Sequence, residues 1–194
     1  MACGQHSDKF GDHAVGCASQ GERISRHNHL RDALHSTAAS AHLSPLKEQR
    51  SLLPGFDARP ADIMLPNFAG GKDLALDVTV VNSLQVALVE GAAKEPGFAL
   101  QHRHREKWAK YGEACQAEGV QFEPLCVEVT GGWGQGEATI RTLGRHLARV
   151  AGNDEGLTIR HLFQRLAILL MRGNCQLILS RSPTEPCPAI TGEK

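Results

Sequence analysis

Two apolar runs set the centre of the chain. Ile63-Met64-Leu65 and Leu74-Ala75-Leu76-Asp77-Val78-Thr79-Val80-Val81 read as β-strands, the second rich in β-branched residues. Residues 66–73 between them are dense in turn formers, so the pattern predicts a hairpin. Upstream, Ile24, His27, Leu30, Leu34, Ala38 and Ala41 recur at near-helical spacing and predict a helix over residues 22–42. A connector with Pro45, Pro54 and Gly55 follows over residues 43–58. Downstream, Pro96-Gly97 precede a predicted helix over residues 98–118, then a strand over 120–129 and a glycine turn at Gly131-Gly132-Trp133-Gly134. Ile140, Leu143, Leu147 and Val150 predict a helix ending near Ala151, and a longer apolar helix is expected over residues 158–172. Leu177-Ile178-Leu179 reads as a last short strand. There are no internal repeats. The pattern as a whole predicts one α/β domain over residues 22–181, a mixed central sheet with helices on both sides. A leader over 1–21 and a proline-containing tail over 182–194 flank it.

Composition narrows the class. A chain of 194 residues with 41% hydrophobic content is long and apolar enough for one domain with a full core. No run reaches the length of a membrane span, and the N-terminus lacks a signal peptide's hydrophobic segment. Six cysteines without a short secreted framework suggest a reducing, intracellular compartment, with thiols free or on metal. Lys and Arg number 21 and Asp and Glu 21, so any affinity for nucleic acid must come from local basic patches or from chain not present here.

The candidate chemistry begins at Asp77, an acid flanked by Leu76 and Val78 in a strand that otherwise looks buried. A carboxylate there is costly unless it is paired or holds a metal. The hairpin brings it beside Asp62, and two acids from neighbouring strands make a hard-oxygen site of the kind Mg²⁺ or Mn²⁺ prefers. The plainer alternative is that Asp62 caps a turn and Asp77 meets an arginine. On the helix after Pro96, Lys107 and Tyr111 are four residues apart and share a face that Arg103 extends. Lys110 lies about 60° from Lys107 around that helix, close enough for a long side chain to bridge, and Lys94 is a more distant rival. Arg141, Arg145 and Arg149 form a second basic stripe, which either tracks phosphates or is solvated. Asp32 beside Arg31 reads as a solvated acid. In the leader, Cys3, His13 and Cys17 are natural zinc ligands, His6 being a substitute fourth, unless the segment is a glycine-rich leader with incidental cysteines.

Arg59-Pro60-Ala61-Asp62, then fourteen residues, then Asp77-Val78-Thr79-Val80 resembles the core of the PD-(D/E)xK nuclease superfamily. More narrowly, it resembles the restriction-like endonuclease domain at the C-terminal end of non-LTR retrotransposon reverse transcriptases. His13 to Cys17 followed by Arg26-His27-Asn28 resembles that family's zinc-binding lead-in and first helix. Lys107-Trp108-Ala109-Lys110-Tyr111 is similar to its helical Lys/Tyr segment, and residues 124–131 to a later strand and glycine turn. The likeness spans roughly residues 10–181 in the family's order. It implies a restriction-endonuclease-like core and metal-dependent DNA hydrolysis, with Asp62 and Asp77 on Mg²⁺ and a carbonyl near Val78 as a further ligand. The common form carries a lysine two residues after the second acid, where this chain has Thr79. In the retrotransposon branch the lysine moves to the next helix, which implies Lys107 at the scissile phosphate, or Lys110, with Tyr111 beside it. Arg59, Arg103 and Arg105 would then lie on the DNA backbone. The family's zinc motif has an upstream cysteine pair whose earlier member would fall before Met1, so the chain looks cut from a longer polypeptide carrying the reverse transcriptase. The expected partners are DNA and that missing region, and the expected location is nuclear where the genome is cut. The alternative is a catalytically inactive DNA- or protein-binding remnant of a mobile element, towards which Thr79 and the zero net charge lean.

Overall fold

A computed structural model describes residues 12–17, 21–48 and 60–181. Cys3, His6 and Arg59, and the predicted tail over 182–194, lie outside the described residues. The helices are α1 (Asp12–Gly16), α2 (Glu22–Ser40), α3 (Val89–Lys94), α4 (Phe98–Ala117), α5 (Glu137–Ala151) and α6 (Glu155–Leu179). The strands are β1 (Leu46–Lys47), β2 (Ile63–Ala69), β3 (Lys72–Val81) and β4 (Gln121–Glu128).

The four described strands form one mixed sheet in the order β1-β2-β3-β4. β1 and β3 run antiparallel to β2, and β4 runs parallel to β3, the return being made through α3 and α4. Period-two alternation along β3 sends its side chains to two different layers. Leu74, Leu76 and Val78 join Ile63, Leu65, Leu125 and Val127 against Leu30 and Leu34 of α2, Ile140 and Leu143 of α5, and Leu162, Leu166 and Leu170 of α6. Ala75, on the opposite face, joins Met64 and Phe122 beneath Tyr111 and Cys115 of α4. Asp77 shares the parity of Ala75 and so points to the α4 side.

Two predicted elements take a different form. The turn expected over 66–73 shrinks to Gly70-Gly71, whose φ values of 60° and 78° suit a two-residue hairpin turn. Pro66 and Asn67 remain in β2 because the register shifts between Leu65 and Ala69, with Asn67 at φ 53° and its amide donating to Asp73 Oδ1 at 3.0 Å. The strand expected at Leu177-Ile178-Leu179 is the last turn of α6. That helix starts where the Asp154 side chain accepts from Leu157 N at 2.7 Å and continues through Gly173-Asn174 without a break. Gly173 is useful there, since a Cβ would come within 2.5 Å of Arg26 Cγ. α1, inside the expected leader, β1, inside the expected connector, and α3 had no forecast in the sequence pattern.

Candidate functional site

Asp62 immediately precedes β2. Its amide donates to Leu76 O at 2.8 Å, so it still pairs with β3, and its carboxylate turns along that edge to accept from Val78 N at 2.7 Å through Oδ2. Asp77 lies two strand positions from Ala75, only 8% exposed. Lys107 reaches it from α4, with Nζ 3.1 Å from Oδ1 and 2.9 Å from Oδ2, and Thr79 Oγ1 donates to Oδ2 at 3.1 Å. Thr79 thus occupies the same strand face as Asp77 and contributes a hydroxyl rather than a charge.

Electrostatics match that geometry. Burial pushes the Asp77 carboxyl above its ordinary range, Lys107 opposes the rise, and the nearby charge of Asp62 adds to it. From α2, His27 Nε2 lies 3.2 Å from Asp62 Oδ1, and that hydrogen bond, working against burial, raises the imidazole pKa. Arg23, Ile24, Arg26, Val78, Thr79 and Val80 complete a cleft of about 520 Å³ around Asp62, Asp77, His27 and Lys107. A second cleft of about 570 Å³, between Trp108, Phe122 and Glu123, shares no lining residue with it.

The structure therefore brings Asp62, Asp77 and Lys107 together and disperses the other candidates. Tyr111 is buried at 7% exposure, edge-on to Phe122 at 5.9 Å between centroids, and does not line the cleft. Lys110 is exposed, its Nζ 4.9 Å from the centroid of the Tyr111 ring, and its pKa is raised chiefly by hydrogen bonding to Tyr111. Lys94 pairs with Glu90 at 2.6 Å. Arg103 pairs with Glu106 at 2.8 Å, and Arg105 is exposed with Nε donating to Gln101 O at 3.4 Å. On α5, across the sheet from α4, Arg141 pairs with Glu137 at 2.7 Å and lies over Phe163, and Arg145 meets Glu155 at 3.2 Å. Arg149 is exposed on the same helix, and none of these three lines the acid cleft. Asp32 pairs with Arg31 at 2.9 Å and Lys47 at 3.3 Å, away from the site.

Among the described residues no three His, Cys, Asp or Glu side chains converge as a metal cage. Of the zinc ligands expected in the leader, Cys3 lies outside the described residues, His13 is on α1, and Cys17 is buried just after it, its amide donating to His13 O at 2.9 Å. The acid pair itself has the donor chemistry Mg²⁺ accepts, since that ion is commonly held by one or two carboxylates with waters and substrate phosphates completing its shell. His27, Arg23 and Arg26 also line the cleft; in the sequence Arg26 and His27 belong to an Arg26-His27-Asn28-His29 run that either faces phosphate or is a polar helix face, and nothing in the pattern marks Arg23. His27 and Asp62 are 35 positions apart, and no local pattern announces their pairing. No protein-family model and no curated protein matches the chain.

Proposed function

We propose that the chain is a metal-dependent DNA endonuclease of restriction-like type, derived from a retrotransposon reverse transcriptase, that nicks phosphodiester bonds. The observation carrying this reading is the convergence of Asp62, just before β2, and Asp77, on β3, with the Lys107 ammonium 2.9 Å from Asp77 Oδ2. Asp62 and Asp77 would hold Mg²⁺ or Mn²⁺, with the carbonyl near Val78 as a further ligand. When bound, such an ion polarises a phosphoryl oxygen and lowers the pKa of its water. The chain's own groups do the rest. Lys107, its side chain 29% exposed to the cleft, offers N–H donors where charge grows on the phosphoryl oxygens. Thr79 steadies Asp77 through Oδ2, and His27 with Val78 N holds Asp62 by both oxygens. The partners on this reading are DNA and the upstream reverse-transcriptase region, in the nucleus where the genome is the target.

Calorimetry with Mg²⁺ or Mn²⁺, alongside nicking of supercoiled plasmid, tests it. Binding and nicking are both expected in the parent and both lost in Asp77→Asn. Metal binding unchanged in that variant sinks the site, whereas DNA binding without metal-dependent nicking in the parent would favour the inactive remnant.

A further inference from the structure

Arg26 sits on α2 at 3% exposure, yet it lines the acid cleft. Its Nη1 donates to Asn174 Oδ1 at 2.6 Å, and Asn174 Nδ2 donates in turn to Val129 O at 2.7 Å, just past β4. This clamp fixes the guanidinium without neutralising it. No carboxylate of the described residues lies within ion-pair reach of Arg26. Glu22, one turn earlier, is 3.6 Å from Arg181, and Asp62 is engaged by His27 and Val78 N. Arg26 Nε is buried without a hydrogen-bond partner. Burial, then the charge of Arg23, lowers its pKa to about 10, which leaves it a cation at neutral pH. A buried charge without a counter-ion is costly, and native structures usually pair one. Arg23, three residues earlier and exposed, lines the same cleft and makes no ion pair among the described residues. With Lys107, three cationic side chains line the same space as the two carboxylates. A metal ion would satisfy the carboxylates only. The arginines ask for an anion.

We propose that Arg26 and Arg23 form a phosphodiester-binding subsite on the α2 wall of the cleft, seating a backbone phosphate next to the one at the Asp62–Asp77 pair. The choice of a nucleic-acid phosphate rests on the nuclease reading, and the preference for an oxyanion rests on the cleft alone. Arg26, clamped and desolvated, supplies the strong directional contact, because a planar guanidinium presents several N–H donors in a fixed fork. Arg23, in solvent, supplies attraction that salt screens.

The test uses the full chain in EDTA, so that nothing is cut. A labelled DNA duplex is titrated over a range of salt, and melting is followed with inorganic phosphate against chloride at equal ionic strength. Arg26→Met should weaken DNA binding by about tenfold or more, the scale of a hydrogen bond to a charged group. Arg23→Gln should weaken it about threefold and reduce the slope of log K against log salt by about 0.9, one phosphate contact. Inorganic phosphate should raise the parent's melting temperature and leave that of Arg26→Met unmoved. DNA affinity and phosphate response both indifferent to Arg26→Met would overturn the subsite. A phosphate response without an effect on DNA would overturn the phosphodiester assignment, leaving a free-phosphate site. If Arg26→Met does not melt cooperatively, Arg23→Gln and the parent's own phosphate titration decide, an unmoved slope with no phosphate response refuting the proposal. DNA binding that depends on Arg26 in a protein that never nicks with Mg²⁺ or Mn²⁺ would retain the subsite and discard the nuclease.

Discussion

Asp77 illustrates how one residue can be held at a disadvantage until something joins it. Its neighbours on β3 are aliphatic, burial raises its carboxyl pKa, and Lys107 recovers only part of that loss. On the proposed nuclease reading, the ammonium that offsets Asp77 is also the one offered to the phosphate. Lys107→Ala should lower nicking by about tenfold or more while calorimetry still shows Mg²⁺ binding, because a general electrostatic contact to the transition state is removed and the oxygen donors stay. Lys110→Ala should do less, and mainly to DNA affinity, since Lys110 lies in solvent over Tyr111 outside the cleft. The reverse ranking would transfer the role to Lys110. His27 gives a pH prediction with a definite sign. Its pKa is raised above the ordinary 6.5, first by the Asp62 hydrogen bond, so the folded state binds the proton more tightly than the unfolded chain. The stabilisation is complete below the unfolded value and is lost as pH rises through the folded one. Melts of the metal-free parent should therefore fall more between about pH 6 and pH 8 than those of His27→Gln, which keeps a donor but does not titrate there. Equal slopes would show that the pair does not carry the effect.

At the scale of elements, the site is assembled by three pieces with different histories in the sequence. The β2–β3 hairpin was legible because β-branched residues and alternation point to strands, and an acid at Asp77 in an otherwise apolar strand marks a position that needs a partner. Its turn was misjudged because Pro66 and Asn67 have turn chemistry, and a register shift inside β2 absorbs them instead. The helix carrying Lys107 was legible from Pro96-Gly97 and its spacing, and the structure starts α4 at Phe98 as the pattern predicts. The end of α6 was not, since an apolar triplet such as Leu177-Ile178-Leu179 fits a strand or a buried helical turn equally well. That length matters, because it carries Asn174 to Arg26 and so ties α6 to the cleft wall. α6 also provides much of the core under β3, with Leu166 fully buried. Leu166→Ala should cost about 2–5 kcal/mol in urea unfolding, the range for a large-to-small change in a packed interior. A cost below about 1 kcal/mol, the scale of minor surface changes, would mean that this layer is not packed as described.

The molecule as a whole has balanced formal charge, so on the proposed nuclease reading any affinity for DNA comes from where charges are placed rather than how many there are. Two basic surfaces compete for that role. The α5 stripe has the more regular sequence spacing, yet Arg141 is bound to Glu137 and Arg145 to Glu155, on the sheet face away from α4. Paired charges of this kind add little long-range field, and exposed pairs are screened further by salt. The cleft has less basic sequence around it but presents Arg23, Arg26 and Lys107 beside the acids, with Arg23 unpaired among the described residues. Simultaneous Arg141→Gln, Arg145→Gln and Arg149→Gln should therefore change DNA affinity by less than about twofold and leave the salt dependence nearly flat relative to the parent. Were the stripe on phosphates, the same variant would lower the slope of log K against log salt by about 2.7, three contacts at 0.9 each. A drop of that size would move the DNA path to the α5 face, across the sheet from Lys107, and would separate DNA binding from the acid pair altogether.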